Sequence, residues 1–173
     1  MTRALLCAAL AGAASVFSGC SSDPTQGYAV TRAYRNDIQT VAVPVFNNVT
    51  FARGMEVRLT ESVIGEIRRQ TPWKVADPSS AQTTLTGTIT SSEMRVNSLG
   101  QSSGLVEDQV VIVNIDFEWK DNRTGKVLVA RRQFQAVQSF VPAQNVLERV
   151  ELAQNATVQE LARDLVAELR SSW

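Results

Sequence analysis

One change of hydrophobic period, between residues 38 and 69, constrains the fold more than any other feature. Residues 40–46 read TVAVPVF, and the alternation of Val41, Val43 and Val45 with other residues predicts a strand with one apolar face. Pro44 lacks a backbone N–H, so it predicts an edge position or a bulge. Apolar residues then recur every four positions, which predicts an amphipathic helix of about four turns. They are Met55, Leu59, Val63 and Ile67.

Three further strands are predicted in series after a short strand at residues 73–75. They cover residues 84–96, 107–119 and 127–138, and their short connections predict an antiparallel meander. A change of phase predicts a bulge near Ser91, and Arg132 interrupts the apolar face of the third strand, as a bulge or a strand end would. The residues expected to face the core on that strand are Leu128, Ala130, Phe134 and Ala136.

The other face of this sheet is predicted to be polar. Its expected residues are Thr84, Thr86, Thr88, Thr90, Asn114, Asp116, Glu118, Arg131, Gln133 and Gln135. An apolar stripe from about Val146 to Arg170 predicts one long helix, or two with a soft joint at Gln154. The predicted fold class is α+β: a two-layer sandwich in the order β-α-β-β-β-β-α. Its mixed sheet has four to five strands and two helices on one face.

The first residues resemble a lipoprotein signal peptide, predicted at 1–19. Arg3 precedes an apolar run that ends Phe17-Ser18-Gly19-Cys20, although Phe17 stands where an aliphatic residue is usual. Cys20 is therefore the predicted lipidation site, and its acyl chains would anchor the protein in a membrane. The alternative is an ordinary secretory signal with a chance cysteine. Residues 20–34 are predicted to form the lipidated tether and 35–173 a single domain.

Composition argues against several classes of function. The net charge is +0, which gives no reason to expect nucleic acid as a partner. The chain has no histidine, so the commonest general base and metal ligand is absent. Asp116 and Glu118 share a strand face, but no nucleophile motif lies nearby, and a solvated face is the simpler interpretation. We expect that the protein is not an enzyme and that it carries no cofactor other than a covalent lipid on Cys20.

Basic residues form small clusters that are candidate contacts for a partner or for lipid phosphates, because guanidinium groups bind phosphate well. The candidates are Arg68, Arg69, Lys74, Arg131 and Arg132. Helix ends and turns carry such charges for ordinary reasons as well. Trp73 and Trp119 are expected to be core aromatics.

Several stretches together resemble the LptE family of lipopolysaccharide-assembly lipoproteins. They are the lipoprotein start, Gly27-Tyr28, VAVPVFNNVTF from Val41, EVRLTESVIGEI from Glu56, LTGTI from Leu85, and FEWKDNRTGKVL from Phe117. The resemblance implies a lipoprotein on the periplasmic face of the outer membrane. Such a protein would plug an LptD-type β-barrel, assist its assembly, and contact lipopolysaccharide on its way to the cell surface.

A rival interpretation is another periplasmic adaptor, or a secretion-channel lipoprotein of the curli-export type, which the same region resembles. A plug is expected to be one-to-one with its barrel, whereas a channel subunit self-assembles into a ring.

Overall fold

The computed structural model describes residues 37–99, 106–141 and 146–171, which form two layers. Within these ranges the strands are β1 (Thr40–Ala42), β2 (Asn47–Asn48), β3 (Lys74–Val75), β4 (Thr83–Leu99), β5 (Val106–Asp121) and β6 (Val127–Phe140). The helices are α1 (Met55–Gln70) and α2 (Val146–Ser171). The predicted signal peptide (1–19), Cys20 and the tether (20–34) lie outside the described residues.

The sheet is mixed, in the order β3-β1-β4-β5-β6, with the two-residue strand β2 also paired to β4. β1 runs parallel to both β3 and β4, whereas β4, β5 and β6 form an antiparallel meander. Helices α1 and α2 pack against each other and against the sheet, and their buried residues join those of the strands in one core. The predicted α+β two-layer sandwich is confirmed.

The core lies between the helices and one face of the sheet. The four-residue stripe of α1 (Met55, Leu59, Val63, Ile67) is fully buried, and so are the alternate residues of β5 from Val111 to Trp119. The rings of Trp73 and Trp119 pack with their centroids 5.0 Å apart, which confirms both as core aromatics. For α1 and β5 the period of the sequence therefore predicted correctly which face is buried.

Helix α2 is continuous through Gln154 and Asn155, where the sequence pattern allowed either one helix or two. Its carboxyl-terminal end lies beside that of α1, because Arg170 Nη1 donates a 3.0 Å hydrogen bond to Gln70 Oε1. The two helices thus cover the sheet side by side, with α2 over β5 and β6.

The first strand is shorter than its sequence pattern predicts, because the chain leaves the ladder after Ala42. Pro44 has no N–H to donate there. The phase shifts as a result: Val45, predicted on the apolar face, is 60% exposed, while Phe46 is 2% exposed. The Phe46 ring lies against Gly87 of β4, where an added Cβ would sit 2.3 Å from it. The Phe46 N–H donates to Thr60 Oγ1 at 3.0 Å, which fixes this segment to α1.

The core face of β6 also differs from the prediction at its first half. Val129, opposite Trp119, is the buried residue, whereas Ala130 is exposed and Leu128 is half-buried. Phe134 and Ala136 do face the core, as predicted. The cause is a register shift between these two halves of β6, which reverses the faces on its amino-terminal side.

Asn48 organises the turn that leads into α1. Its Nδ2 donates to Ala52 O at 2.9 Å and to Glu56 Oε2 at 2.7 Å, and its Oδ1 accepts the Thr50 N–H at 2.8 Å. Glu56 Oε1 in turn accepts the Gly54 N–H at 3.1 Å. Gly54, at the start of α1, has a φ of 83° and has no side chain that could cap the helix. The hydrogen bonds of Asn48 and Glu56 take the place of the usual N-cap side chain. The hydrogen bond from Asn48 is the main cause that lowers the pKa of Glu56.

We predict that Gly87→Val destabilises the fold by about 1–3 kcal/mol, because the new side chain displaces the Phe46 ring from a packed core. Urea unfolding measures the change in the free energy of unfolding. Gly65→Ala is the matched control, since no atom lies within 4 Å of its added Cβ and it is in α1. That control should stabilise the fold by up to about 1 kcal/mol. Equal effects of the two variants would contradict this packing.

We predict that Asn48→Ala lowers the midpoint of urea unfolding in a pH-dependent way. The folded-state pKa of Glu56 is below its ordinary value of 4.5, so the stabilisation is present above that pH. It is lost as the pH falls through the folded-state pKa. The difference between the parent and the variant should therefore be largest at neutral pH and shrink in acid. Asn47→Ala, an exposed neighbour, should show no such trend.

Candidate functional site

The outer face of the sheet is a polar surface that several strands build together. On β4 and β5 its residues are those predicted: Thr84, Thr86, Thr88, Thr90, Asn114, Asp116 and Glu118. Several are already hydrogen-bonded within the sheet, as Thr90 Oγ1 donates to Asn114 O at 3.2 Å and Asn114 Nδ2 donates to Ser91 Oγ at 2.8 Å. These bonds hold the side chains in fixed positions, so a partner meets an ordered polar surface.

A bulge in β6 shapes one edge of this face. Ile115 pairs with Phe134 and Phe117 with Arg131, so Asp116 alone opposes both Arg132 and Gln133. Gln133 has a φ of 54°, and its N–H donates to Asp116 Oδ1 at 2.9 Å. Of the two explanations that the sequence left open at Arg132, a strand end or a bulge, the structure shows the bulge. A carboxylate on the neighbouring strand therefore holds the backbone in a conformation that ordinary residues rarely adopt.

Beside the bulge lies a shallow cavity of about 310 Å³ on the outer face. Its polar lining residues come from β2, β4, β5 and β6: Asn47, Thr86, Thr88, Asp116, Glu118, Arg131 and Arg132. Two acidic and two basic residues around one concavity suit a polar partner with charges of both signs. The only sequence signal for the cavity is Arg132, which breaks the period of its strand.

The structure divides the candidate basic residues between the two edges of the sheet. Arg68 and Arg69 end α1, and Lys74 follows on the edge strand β3. Arg131 and Arg132 lie on the opposite edge strand, β6, with three strands between. At about 4.8 Å per strand, β3 and β6 are about 19 Å apart. The five residues do not form one site.

Ion pairs occupy two of these five residues. Arg69 Nη2 lies 2.5 Å from Glu66 Oε2. Burial would raise the pKa of Glu66, but hydrogen bonds from Gln70 and Arg69 outweigh it and lower that pKa. Arg131 was predicted on the outer face, which is wrong: the bulge places it on the helix side, where it pairs with Glu168 of α2.

The described residues contain no group of three or more His, Cys, Asp or Glu side chains arranged to hold a metal ion. Neither helix within them has the length and apolar character of a membrane span. Cys20, the predicted lipid site, lies outside these residues and stays a prediction.

The fold defines a class of two-layer domains with two helices on one face of a mixed sheet, and several solved structures share it. The hypothetical protein CT253 from Chlamydia trachomatis is 10% identical with a TM-score of 0.59, covering 78% of this chain and 97% of its own. A PelC dodecamer subunit from Paraburkholderia phytofirmans is 16% identical with a TM-score of 0.52, covering 79% and 93%. A candidate lipoprotein from Caulobacter crescentus is 13% identical with a TM-score of 0.50, covering 73% and 88%.

The family is shown by sequence. The model of the LptE family, described as lipopolysaccharide-assembly, matches residues 38–171, and the chain belongs to this family. The resemblance carried by the motifs from Val41 onward is thereby confirmed. No curated protein matches the chain by sequence.

We predict that Gln133→Val destabilises the fold by about 1–2 kcal/mol, because a β-branched residue is strained at a positive φ. Gln133→Gly should be tolerated, since glycine adopts this conformation readily. Gln135→Val, at an exposed position of the same strand, should stay within about 0.5 kcal/mol of the parent. Thermal unfolding ranks the three variants, and a Gln133→Val protein as stable as Gln135→Val would contradict the strained bulge.

Proposed function

We propose that this protein is a lipoprotein of the outer membrane, anchored on its periplasmic face through acyl chains on Cys20. There it acts as assembly partner and plug of an LptD-type β-barrel in the transport of lipopolysaccharide to the cell surface. The observation that carries the proposal is the match of the LptE family over residues 38–171, which spans both layers of the fold.

The outer face of the sheet supports a role inside a barrel. Large barrels have polar lumens, so the plug must present groups that satisfy polar side chains without burying unpaired charge. Threonine hydroxyls and the Asn114 amide meet this requirement on β4 and β5. The cavity beside the bulge adds a concave feature into which a lumenal side chain fits.

Lipopolysaccharide is the proposed cargo, and the basic residues are its candidate contacts. Both arginines of β6 line the outer-face cavity, and Arg132 is the better candidate because the side chain of Arg131 is paired with Glu168. Arg68 and Lys74 are exposed at the opposite edge, and Arg69 beside them is paired with Glu66. Such binding requires no metal or cofactor, and we propose that the protein is not an enzyme.

A ring-forming channel subunit is the second candidate. One observation favours it: the PelC subunit, which shares the fold with a TM-score of 0.52, forms a dodecamer. A related assembly of this chain would place copies side by side around a pore and would need no barrel. The two candidates therefore differ in the stoichiometry of the native complex.

We predict that the tagged full chain, extracted from its host in mild detergent, retains a large β-barrel protein in equimolar amount. Mass spectrometry of the purified complex identifies that partner and its stoichiometry. A ring-sized homomultimer without a barrel would overturn the plug and support the second candidate.

Three variants sharpen this experiment. Thr86→Lys places a long side chain on the outer face, opposite Glu118, and should reduce the recovered barrel at least about threefold, because its bulk disturbs the fit of this face to the lumen. Gln159→Lys, on the exposed side of α2, is the control for added charge. Cys20→Ser should release the protein from the membrane fraction, and its retention there would contradict the proposed anchor.

A further inference from the structure

Among residues 37–99, 106–141 and 146–171, nothing pairs with one edge of β4 over about half of its length. On the side away from β5, β4 pairs with β1 at Thr83–Thr84 and with β2 at Thr88–Ile89. The last contact is the Val49 N–H, which donates to Ile89 O at 3.1 Å. Beyond it, none of the described residues pairs with this side of β4, although Ser91–Val96 are regularly paired to β5 on the other side. An open edge of this kind is a template for another strand.

The side chains of this open edge have a regular two-faced pattern. Met94 pairs with Val111 and Val96 with Gln109, so both point to the helix side, yet each is 52% exposed. Glu93 and Arg95 point to the outer face and form a 2.7 Å ion pair. The edge therefore combines unpaired backbone groups, an apolar stripe, and one charge of each sign.

The edge strand β6 and the open segment of β4 differ in how they discourage pairing with another strand. β6 carries the bulge at Arg132 and Gln133, which breaks the regular ladder, and two arginines, which repel a second copy of the strand. β4 has no irregularity between Ser91 and Val96. Its register shifts occur only on either side of this segment, after Ile89 and after Val96. The protective devices of the other edge are thus absent where β4 is open.

We propose that two copies of the free chain associate through this edge, β4 against β4, in an antiparallel pair centred on Met94. Residues that face each other in an antiparallel pair point to the same face of the sheet. In a symmetric pair of identical strands, one residue must therefore face its own copy across the two-fold axis. If the two-fold axis passes beside Glu93, the two Glu93 carboxylates face each other, and if it passes beside Arg95, the two guanidinium groups do. If the axis passes beside Met94, Glu93 of each copy faces Arg95 of the other copy, so opposite charges meet.

The boundaries of the open segment fit the same register. Pairing centred on Met94 joins residue 91 to residue 97 of the second copy. At one end β2 occupies the edge, and at the other the register shift after Val96 turns the strand. The exposed Leu99 then approaches the exposed Val49 of the second copy, which extends the apolar contact beyond the paired segment.

A lipid surface is a poorer occupant than a second copy. Open backbone N–H and C=O groups cannot enter hydrocarbon without a large penalty, whereas a second strand satisfies them. The pair also closes on itself, because a two-fold contact uses the same patch on both copies and cannot grow into a ring. The inference goes beyond the proposed function and concerns the chain before it meets another partner.

Disulfide capture tests the register. In the full chain, in mild detergent, Met94→Cys should form a covalent dimer on mild oxidation, because the two residues face each other across the two-fold axis. Val137→Cys, exposed on the other edge strand, is the matched control and should stay uncrosslinked, as should the parent. Absence of a Met94→Cys dimer, or equal crosslinking of the control, would overturn the register.

Charge reversal tests the pairing itself by sedimentation equilibrium of the full chain. Glu93→Arg alone and Arg95→Glu alone should each weaken the dimer at least about tenfold, since each opposes like charges. The double variant should dimerise, and an equimolar mixture of the two single variants should form the heterodimer. A parent chain that remains monomeric, a ring, or a dimer indifferent to both reversals would overturn the proposal.

Discussion

The departure of the chain from the sheet at Pro44 determines more of this structure than any other local event. Because the ladder stops at Ala42, Phe46 turns inward and fills the space that Gly87 leaves open on β4. The same departure leaves β2 only two residues long, so β1 and β2 together cover less than half of β4. One proline thus links a packed core contact to the open edge on which the inferred dimer rests.

The sheet presents two surfaces of different character. Its helix side is closed by α1 and α2, while its outer side combines hydroxyls and amides, several of them ordered by hydrogen bonds, with the charged residues around the cavity. Ordered polar groups lose little conformational entropy when a partner binds, which favours a role in recognition. The chain belongs to the LptE family, and the partner proposed on that ground is a barrel whose polar lumen matches the polarity of this surface.

Much of the fold was predictable from the sequence, because α1 and β5 keep a strict period and their buried faces follow from it. The errors share one physical cause, which is a backbone irregularity that reverses the phase of the residues beside it. Pro44 moves Val45 outward, and the bulge at Gln133 moves Arg131 to the helix side. Arg132 signalled that bulge, but no pattern showed which half of the strand would be reversed.

The candidate site was less predictable than the fold. The basic residues were chosen from neighbours in sequence, whereas their grouping depends on strand order, which separates β3 from β6. The cavity depends on residues from four strands, and the open edge of β4 depends on where β1 and β2 end. Such features arise from long-range pairing, and a single sequence carries no local record of it.

The position of α2 has a consequence for the order in which the domain is completed during synthesis. The β4–β5–β6 meander joins segments that are neighbours in the chain, whereas the contact of Arg170 with Gln70 joins residues 100 positions apart. Contacts of long sequence separation form late, because a longer loop must be closed first. Until α2 has packed against them, the apolar side of β5 and β6 lacks the cover that this helix provides, and the chain at that stage is prone to aggregate.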